Sequence, residues 1–490
     1  MRTFFAAVAG LMLASCSDTP ATTPGVDGGT DGVADGGTDG SAQIADWKAG
    51  TRLRPIVITG GSVKRFTRFH DASLNVDCEF QTLTDGQRRC APGNAETTYF
   101  SDAACTQMVF GDGTCPPAVA PKYVQSMDYN AGCTQPDVYE LGAITTPATV
   151  YEKQGALCAA SGAPPQTYRS VTRKVPPAEL VAATLSRSPR GKQLFATFLD
   201  GEDGSRQPFG MEDGTAPHAG PCDAFRAADG EVRCLPTLVA FVETYYSDAT
   251  CTVPAAFKPG YVPDTCKLAP VAVQATSPSA CGGSQNVTFF DVGAKVPGQI
   301  YEKQPTCVPA SISGALGASF YLAGAPIADA AFAKLARTPG TQTPLTLEAL
   351  VVDSGETVSV ARFVDLVHKD TCTSSIAGDG KRRCVLDAVP ALFADAACKT
   401  PIVQGGYHPK TCAAPAPPAF AEWRELAAVA CTLGTSHILT VGAPIPVPAQ
   451  AFLLSGAVCQ PTSPAADYDY YATTTEIAPS EMVELAEVTE

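Results

Sequence analysis

The hexapeptide Asp85-Gly86-Gln87-Arg88-Arg89-Cys90 sets an acid, a flexible glycine, two guanidinium groups and a thiol within six residues. Acid, cation and nucleophile at such spacing read as a fragment of an active site. The pattern returns at residues 229–234 (Asp229, Gly230, Arg233, Cys234) and at residues 379–384 (Asp379, Gly380, Arg383, Cys384). A catalytic constellation is needed once, whereas a feature present in every repeat of a chain reports what each repeat needs in order to fold. The hexapeptide is therefore expected to be scaffold: Asp-Gly as a two-residue hairpin turn, the thiol as one half of a staple. A two-residue turn sets Cys90 opposite Gln81, Cys234 opposite Phe225 and Cys384 opposite Ser375, so a Cys78-to-Cys90 bond would demand a bend in the first strand. The arginine before each cysteine is expected to pair with a recurrent aspartate.

Other groups able to do chemistry are few. The chain has five histidines; His70, His218 and His368 each precede the first cysteine of a repeat, which raises the idea of a shared metal site. Alignment weakens it, because His70 falls opposite Val364; the residues that coincide are Asp71, Asp213 and Asp365, placed as turn-capping acids. No nucleophile elbow, phosphate-binding loop, zinc-protease motif or dinucleotide fingerprint occurs, so no catalytic residue and no cofactor is assigned. The stretches 199–206 and 351–358 read as plain hairpin turns. Trp47 and Trp423 are the two tryptophans, and Tyr468, Tyr470 and Tyr471 form a tyrosine cluster that reads more readily as core than as a contact surface.

The elements that must position these residues come in three copies. Of nineteen cysteines, eighteen fall into three groups of six: Cys78, Cys90, Cys105, Cys115, Cys133, Cys158; Cys222, Cys234, Cys251, Cys266, Cys281, Cys307; and Cys372, Cys384, Cys398, Cys412, Cys431, Cys459. The flanking words repeat as well: "YFSDAAC", "YYSDATC" and "LFADAAC", then "VPPAELVAAT", "PIADAAFAKL" and "IAPSEMVELA". The period of about 145 residues defines repeats at 51–190, 191–340 and 341–490. No Cys-x-x-Cys pair is present, so disulfides are expected rather than zinc. Six cysteines allow fifteen pairings per repeat. The sequential choice is Cys78 with Cys90, Cys105 with Cys115, Cys133 with Cys158, and likewise Cys222 with Cys234, Cys251 with Cys266, Cys281 with Cys307, Cys372 with Cys384, Cys398 with Cys412 and Cys431 with Cys459.

Short β-branched and aromatic runs alternate with Gly, Pro and Asp, so the fold class is all-β, with helical periodicity only in brief pieces such as residues 419–430. About eight strands per repeat fit two architectures: a six-bladed β-propeller with two blades per repeat, or three disulfide-stapled β modules.

The nineteenth cysteine lies in the leader. Arg2 is followed by an apolar run too short to span a bilayer, ending in Leu13-Ala14-Ser15-Cys16. This resembles the lipobox of bacterial lipoproteins, and the resemblance implies that residues 1–15 are a signal peptide and that Cys16 is lipidated. Ser17 after the cysteine resembles the pattern of outer-membrane cargo. Lipidation of Cys16 also leaves an even number of cysteines to pair. Residues 16–50 are Gly-, Asp- and Thr-rich with little apolar to bury and read as a disordered tether. The formal charge of −15 is concentrated in six Asp at 17–46 and seven acids at 467–490, which read as acidic tails around a near-neutral body. With no basic stripe, nucleic acid is not an expected partner.

The whole chain resembles Cys-rich repeat lipoproteins of bacterial surfaces. The expected role is a lipid-anchored, extracytoplasmic binding or structural module of the cell envelope, at the outer membrane, with an envelope protein or carbohydrate as partner. It is expected not to be an enzyme; the alternative is a propeller-type hydrolase acting on a glycan or lactone.

Overall fold

The computed structural model describes residues 47–94, 98–111, 121–126, 135–154, 157–161, 167–215, 217–259, 268–277, 286–310, 318–407, 416–425, 435–455 and 458–490. The leader, Cys16, most of the tether and the fourth and fifth cysteines of each repeat lie outside them.

The protein is all-β. Each repeat divides into an inner meander and an outer unit, not into two four-stranded blades, so the six-bladed propeller is not the arrangement. The first meander is Leu53–Gly60, Val63–Asp71, Val76–Thr82 and Arg88–Pro92. The second is Ala182–Arg190, Leu194–Gly201, Arg206–Asp213, Gly220–Arg226 and Val232–Pro236. The third is Leu335–Pro339, Leu345–Val352, Thr357–Asp365, Asp370–Ile376 and Arg382–Leu386. The brief helical periodicity at residues 419–430 falls on a strand over Phe420–Glu425, and residues 426–430 lie outside the described residues.

The meanders join edge to edge in a ring. Arg89 pairs with Ala182, Arg233 bridges to Lys334, and Arg383 bridges to Glu484. The closing words "VPPAELVAAT", "PIADAAFAKL" and "IAPSEMVELA" thus end one repeat and begin the next meander. The last one sends Ala486–Thr489 back to pair with Leu53–Gly60. The acidic C-terminal run is therefore no tail: it supplies strand Tyr468–Ile477 and this closing strand, where Glu487 meets Arg68 at 2.5 Å and Glu490 meets Lys64 at 2.5 Å.

Interlocking hairpins reinforce the ring. The longest hairpin of each meander carries a register shift at an equivalent place, between Ile56/Val57, Thr197/Phe198 and Glu348/Ala349. A bulge bends its strand, and beyond each bend the hairpin packs on a neighbour. Leu199 joins the first core of Leu53, Phe69, Cys78 and Cys90. Leu350 joins the second core of Leu194, Met211, Cys222 and Cys234. Ile58 and Val63 join the third core of Leu345, Phe363, Cys372 and Cys384. The hairpin tips add polar contacts: Asp203 accepts from the backbone N–H of Leu53 at 2.7 Å and of Arg52 at 3.0 Å, and Glu356 accepts from that of Gly191. The stretches read as plain turns, 199–206 and 351–358, are thus also the plugs between repeats.

The outer units are curled sheets, and the second closes into a small barrel. In the second, Val239–Tyr246 pairs antiparallel with Pro254–Lys258 and parallel with Ala272–Ser277, and Asn286–Lys295 and Ser319–Ile327 close the circle. The third repeats this order, its first strand split into Val389–Pro390 and Leu392–Phe393. A short hairpin hangs on each unit: Tyr151–Gln154 with Leu157–Ala160, Tyr301–Gln304 with Thr306–Pro309, and Ala451–Ser455 with Val458–Thr462.

Candidate functional site

The three hexapeptides have one geometry. Thr82 pairs with Arg88, and Gly86 donates its N–H to the Leu83 carbonyl at 2.8 Å. The Leu83 N–H donates to the Gln87 carbonyl, which leaves a three-residue loop with Gly86 at φ 77°. This is a type I turn followed by a left-handed residue, not a two-residue turn, and the extra loop residue shifts the register by one. Cys90 consequently stands opposite Phe80, Cys234 opposite Ala224 and Cys384 opposite Ser374. The corrected register puts both cysteines of each hairpin on one face, two positions apart. No bend is required: Cys78–Cys90, Cys222–Cys234 and Cys372–Cys384 close as diagonal cross-strand bridges with Cα separations of 5.2 Å.

The other atoms of the motif are also used. One carboxylate oxygen of the turn aspartate accepts from a backbone N–H two residues on, that of Gln87, Glu231 or Lys381. The second accepts from the arginine four residues on: Arg89 to Asp85 at 2.6 Å, Arg233 to Asp229 at 2.7 Å, Arg383 to Asp379 at 2.6 Å. Each guanidinium then donates to the carbonyl of Leu180, Phe332 or Met482, at 2.8 Å in all three copies. The next backbone N–H, of Cys90, Cys234 or Cys384, donates at 2.9 Å to the carbonyl of Val181, Ala333 or Val483. Turn, staple and ring joint are thus one device. The Arg233 and Arg383 guanidiniums hold the Asp229 and Asp379 carboxyls below the usual carboxylate range.

A second device recurs in the outer units. Asp102 accepts from the backbone N–H of Thr106 and Gln107, Asp248 from Thr252 and Val253, Asp395 from Lys399 and Thr400. The hydroxyls of Thr106 and Thr250 lead the hydrogen bonds that depress the Asp102 and Asp248 carboxyls. Inside each loop a cysteine takes the left-handed conformation, with φ 51° at Cys105 and Cys251 and 50° at Cys398. That places its sulfur against the pendant hairpin, giving Cys105–Cys158, Cys251–Cys307 and Cys398–Cys459. These third-to-sixth bonds replace the sequential pairings of Cys105 with Cys115, Cys133 with Cys158, and their counterparts at Cys251, Cys281, Cys398 and Cys431. Hairpin docking decides the partner, and loop length does not report it.

His70, His218 and His368 do not meet. His70 contacts Asp77 at 3.0 Å, His368 contacts Asp365 at 3.0 Å, and His218 lies 3.6 Å from Asp291, each within its own repeat. Among the described residues no group of three or more metal-ligating side chains gathers. Asp71, Asp213 and Asp365 are buried caps, accepting from the N–H of Ser73, Thr215 and Val367. Tyr470 and Tyr471 are core residues.

One polar cluster is present in a single copy. In the third outer unit Trp423 pairs across strands with His437, and their rings stack at 4.2 Å with planes 8° apart. Glu476 holds His437 Nδ1 at 2.6 Å, and Phe393 meets the indole edge-on at 6.1 Å. The aligned pairs elsewhere are Ser126 with Asp137 and Ala275 with Thr288. Sequence reasoning counted Trp423 but missed His437, fourteen positions away, because cross-strand register is not visible in one strand's pattern. The arrangement sets a rigid, partly buried indole–imidazole stack beside a half-exposed carboxylate.

Residues 33–481 match the profile of a protein family of unknown function, DUF7481. The chain belongs to this family. The match spans all three repeats of the DUF7481 chain. No curated protein and no solved structure matches it.

Proposed function

We propose that this DUF7481 protein is a lipid-anchored, extracytoplasmic binding or structural module of the cell envelope, carried to the outer membrane by the signal of residues 1–15 and held there through Cys16. The observation that carries the reading is the fate of the repeated polar groups. Asp85/Arg89, Asp229/Arg233 and Asp379/Arg383 are taken up by the ring joints, and Asp102, Asp248 and Asp395 by cysteine loops. The single-copy cluster of Trp423, His437 and Glu476 is then the contact surface, with an envelope carbohydrate as the partner whose C–H faces suit a fixed aromatic ring. Six disulfides among the described residues fit an oxidising compartment.

The test is expression of the full chain in a bacterial host, with membrane fractionation and co-pelleting with purified insoluble cell-wall polysaccharide. The reading expects Cys16→Ser to move the protein from the membrane to the soluble fraction, and Trp423→Ala to abolish co-pelleting while fractionation stays unchanged. Membrane association indifferent to Cys16→Ser would overturn the anchoring, and co-pelleting indifferent to Trp423→Ala would overturn the contact surface.

A further inference from the structure

The three pendant hairpins are equivalent, but their outer strands differ at one position. Those strands are Leu157–Ala160, Thr306–Pro309 and Val458–Thr462. Each ends its sheet, pairing on one side only with Tyr151–Gln154, Tyr301–Gln304 or Ala451–Ser455. Aligned on their disulfide-bonded cysteines, Ala160 stands where the second repeat has Pro309 and the third has Pro461.

The position matters because strand residues turn their backbone groups to alternate sides. The Ser161 N–H donates to the Val150 carbonyl and the Ala310 N–H to the Ile300 carbonyl, both at 2.8 Å. The residues just before, Ala160 and Pro309, therefore face away from their own hairpins, and so do Cys158 and Cys307. Pro461, two residues after Cys459, holds the same place in the third copy. Proline has no N–H, so at an outward position it leaves the hairpin ladder intact and denies a donor to any strand adding to the edge. The second and third hairpins are blunted in this way. The first is open: Cys158 and Ala160 present N–H and C=O outward, and no described residue takes them. No side chain from 157 to 160 is charged, and Leu157 is 73% exposed.

We propose that Leu157–Ala160 is the pairing edge of a homodimer, in which this strand adds antiparallel to the same strand of a second copy. The edge complements itself. With Cys158 opposite Ala160 of the second copy, and Ala160 opposite Cys158, the outward residues exchange about four backbone hydrogen bonds around a two-fold axis. Ala159 then meets its own counterpart across the axis, in the pair where side chains approach most closely, and a methyl group fits there. Leu157 of each copy flanks that pair on the same face, two positions away. Nothing in the edge selects the side chains of an unlike peptide, whereas every group it presents is matched in a second copy. Four residues bury far less than the roughly 1,200 Å² of a standard interface, so the dimer is weak and forms where the protein is concentrated. Two copies held on one membrane meet that condition, and the pairing stands whether or not Cys16 is lipidated.

Sedimentation velocity of the purified, disulfide-bonded full chain over a wide range of concentration tests the pairing. The dimer predicts a sedimentation coefficient that rises with concentration. Ala160→Pro removes one donor from each chain and should weaken association at least about tenfold. Its thermal unfolding should stay close to that of the native chain, because the other two hairpins already carry proline there. Ala159→Arg sets like charges opposite one another and should weaken association as well. In hydrogen–deuterium exchange, the amides of residues 158 and 160 should gain protection as concentration rises, while those of 307 and 459 do not. A native chain that sediments as a monomer at every concentration overturns the proposal. So does a folded Ala160→Pro or Ala159→Arg chain that dimerises as the native one does.

Discussion

The arginine preceding the second cysteine of each repeat, at 89, 233 and 383, joins its own turn to the segment that starts the next meander. Arg383 is buried, so Arg383→Ala leaves the Met482 carbonyl and the Asp379 carboxylate short of a donor. The expected loss is about 1–3 kcal/mol, measured by chemical denaturation at neutral pH. Arg383→Lys is expected to recover little, because an ammonium cannot span carboxylate and carbonyl as a planar fork does. The same residues set the acid response. Asp229 and Asp379 are held low by their arginines and Asp102 and Asp248 by threonine hydroxyls. A carboxyl whose folded pKa is depressed contributes stability that is complete above its unfolded value and lost as pH falls through the folded one. Stability is therefore expected to drop below about pH 4, where unfolded aspartates begin to protonate. Asp248→Asn should flatten that drop in a denaturation series against pH. The pairing of each arginine with an aspartate was legible in the sequence, because the two recur four positions apart in every copy. The carbonyl on the far side of the guanidinium was not, since Leu180, Phe332 and Met482 lie about a hundred residues away and share no side-chain type.

At the scale of elements, strand character and the triplication were plain in the residue pattern, and the hairpin register was wrong by one. The difference lies in the turn: Asp-Gly also serves a three-residue loop in which Gly takes the left-handed position, as Gly86, Gly230 and Gly380 do at φ 77°, 84° and 76°. Cysteine spacing likewise pointed correctly to the first-to-second bridges, Cys78–Cys90, Cys222–Cys234 and Cys372–Cys384, but not to the partners of the third and sixth cysteines. The third and sixth cysteines are 53, 56 and 61 residues apart, and they meet because an Asp-centred loop and a pendant hairpin dock, a tertiary event. Mass spectrometry of non-reduced peptides should find Cys251 linked to Cys307; a Cys251-to-Cys266 peptide would contradict the loop geometry. Replacing both Cys251 and Cys307 by Ala should cost about 4 kcal/mol, as expected for opening a loop of that length. The inner staples close shorter loops, 12 residues apart, but sit in the cores that the neighbouring hairpins enter. Loss of Cys222–Cys234 is accordingly expected to weaken the contact with Leu350 as well as its own hairpin.

The whole molecule is a closed circle of three unequal copies, and closure was the feature least visible in the sequence. Nothing in "IAPSEMVELA" says that its last strand returns to residue 53, except that its two counterparts each lead into a following repeat. The cores make the repeats mutually dependent: Leu199 completes the first, Leu350 the second, Ile58 and Val63 the third. No repeat owns a finished core, so the ring is expected to unfold as one cooperative unit even though its sequence reads as three. The chain provides two reporters for this. Trp47 packs near Phe66 in the first repeat, and Trp423 stacks on His437 in the third. The decisive measurement is denaturant unfolding of Trp47→Phe and Trp423→Phe proteins by fluorescence, each with and without Arg233→Ala in the middle repeat. If the hexapeptide is a joint of a closed ring, both reporters trace one transition, and Arg233→Ala moves it to lower denaturant by the same amount in each. Two separate transitions, or a shift that neither distant tryptophan registers, would contradict the account.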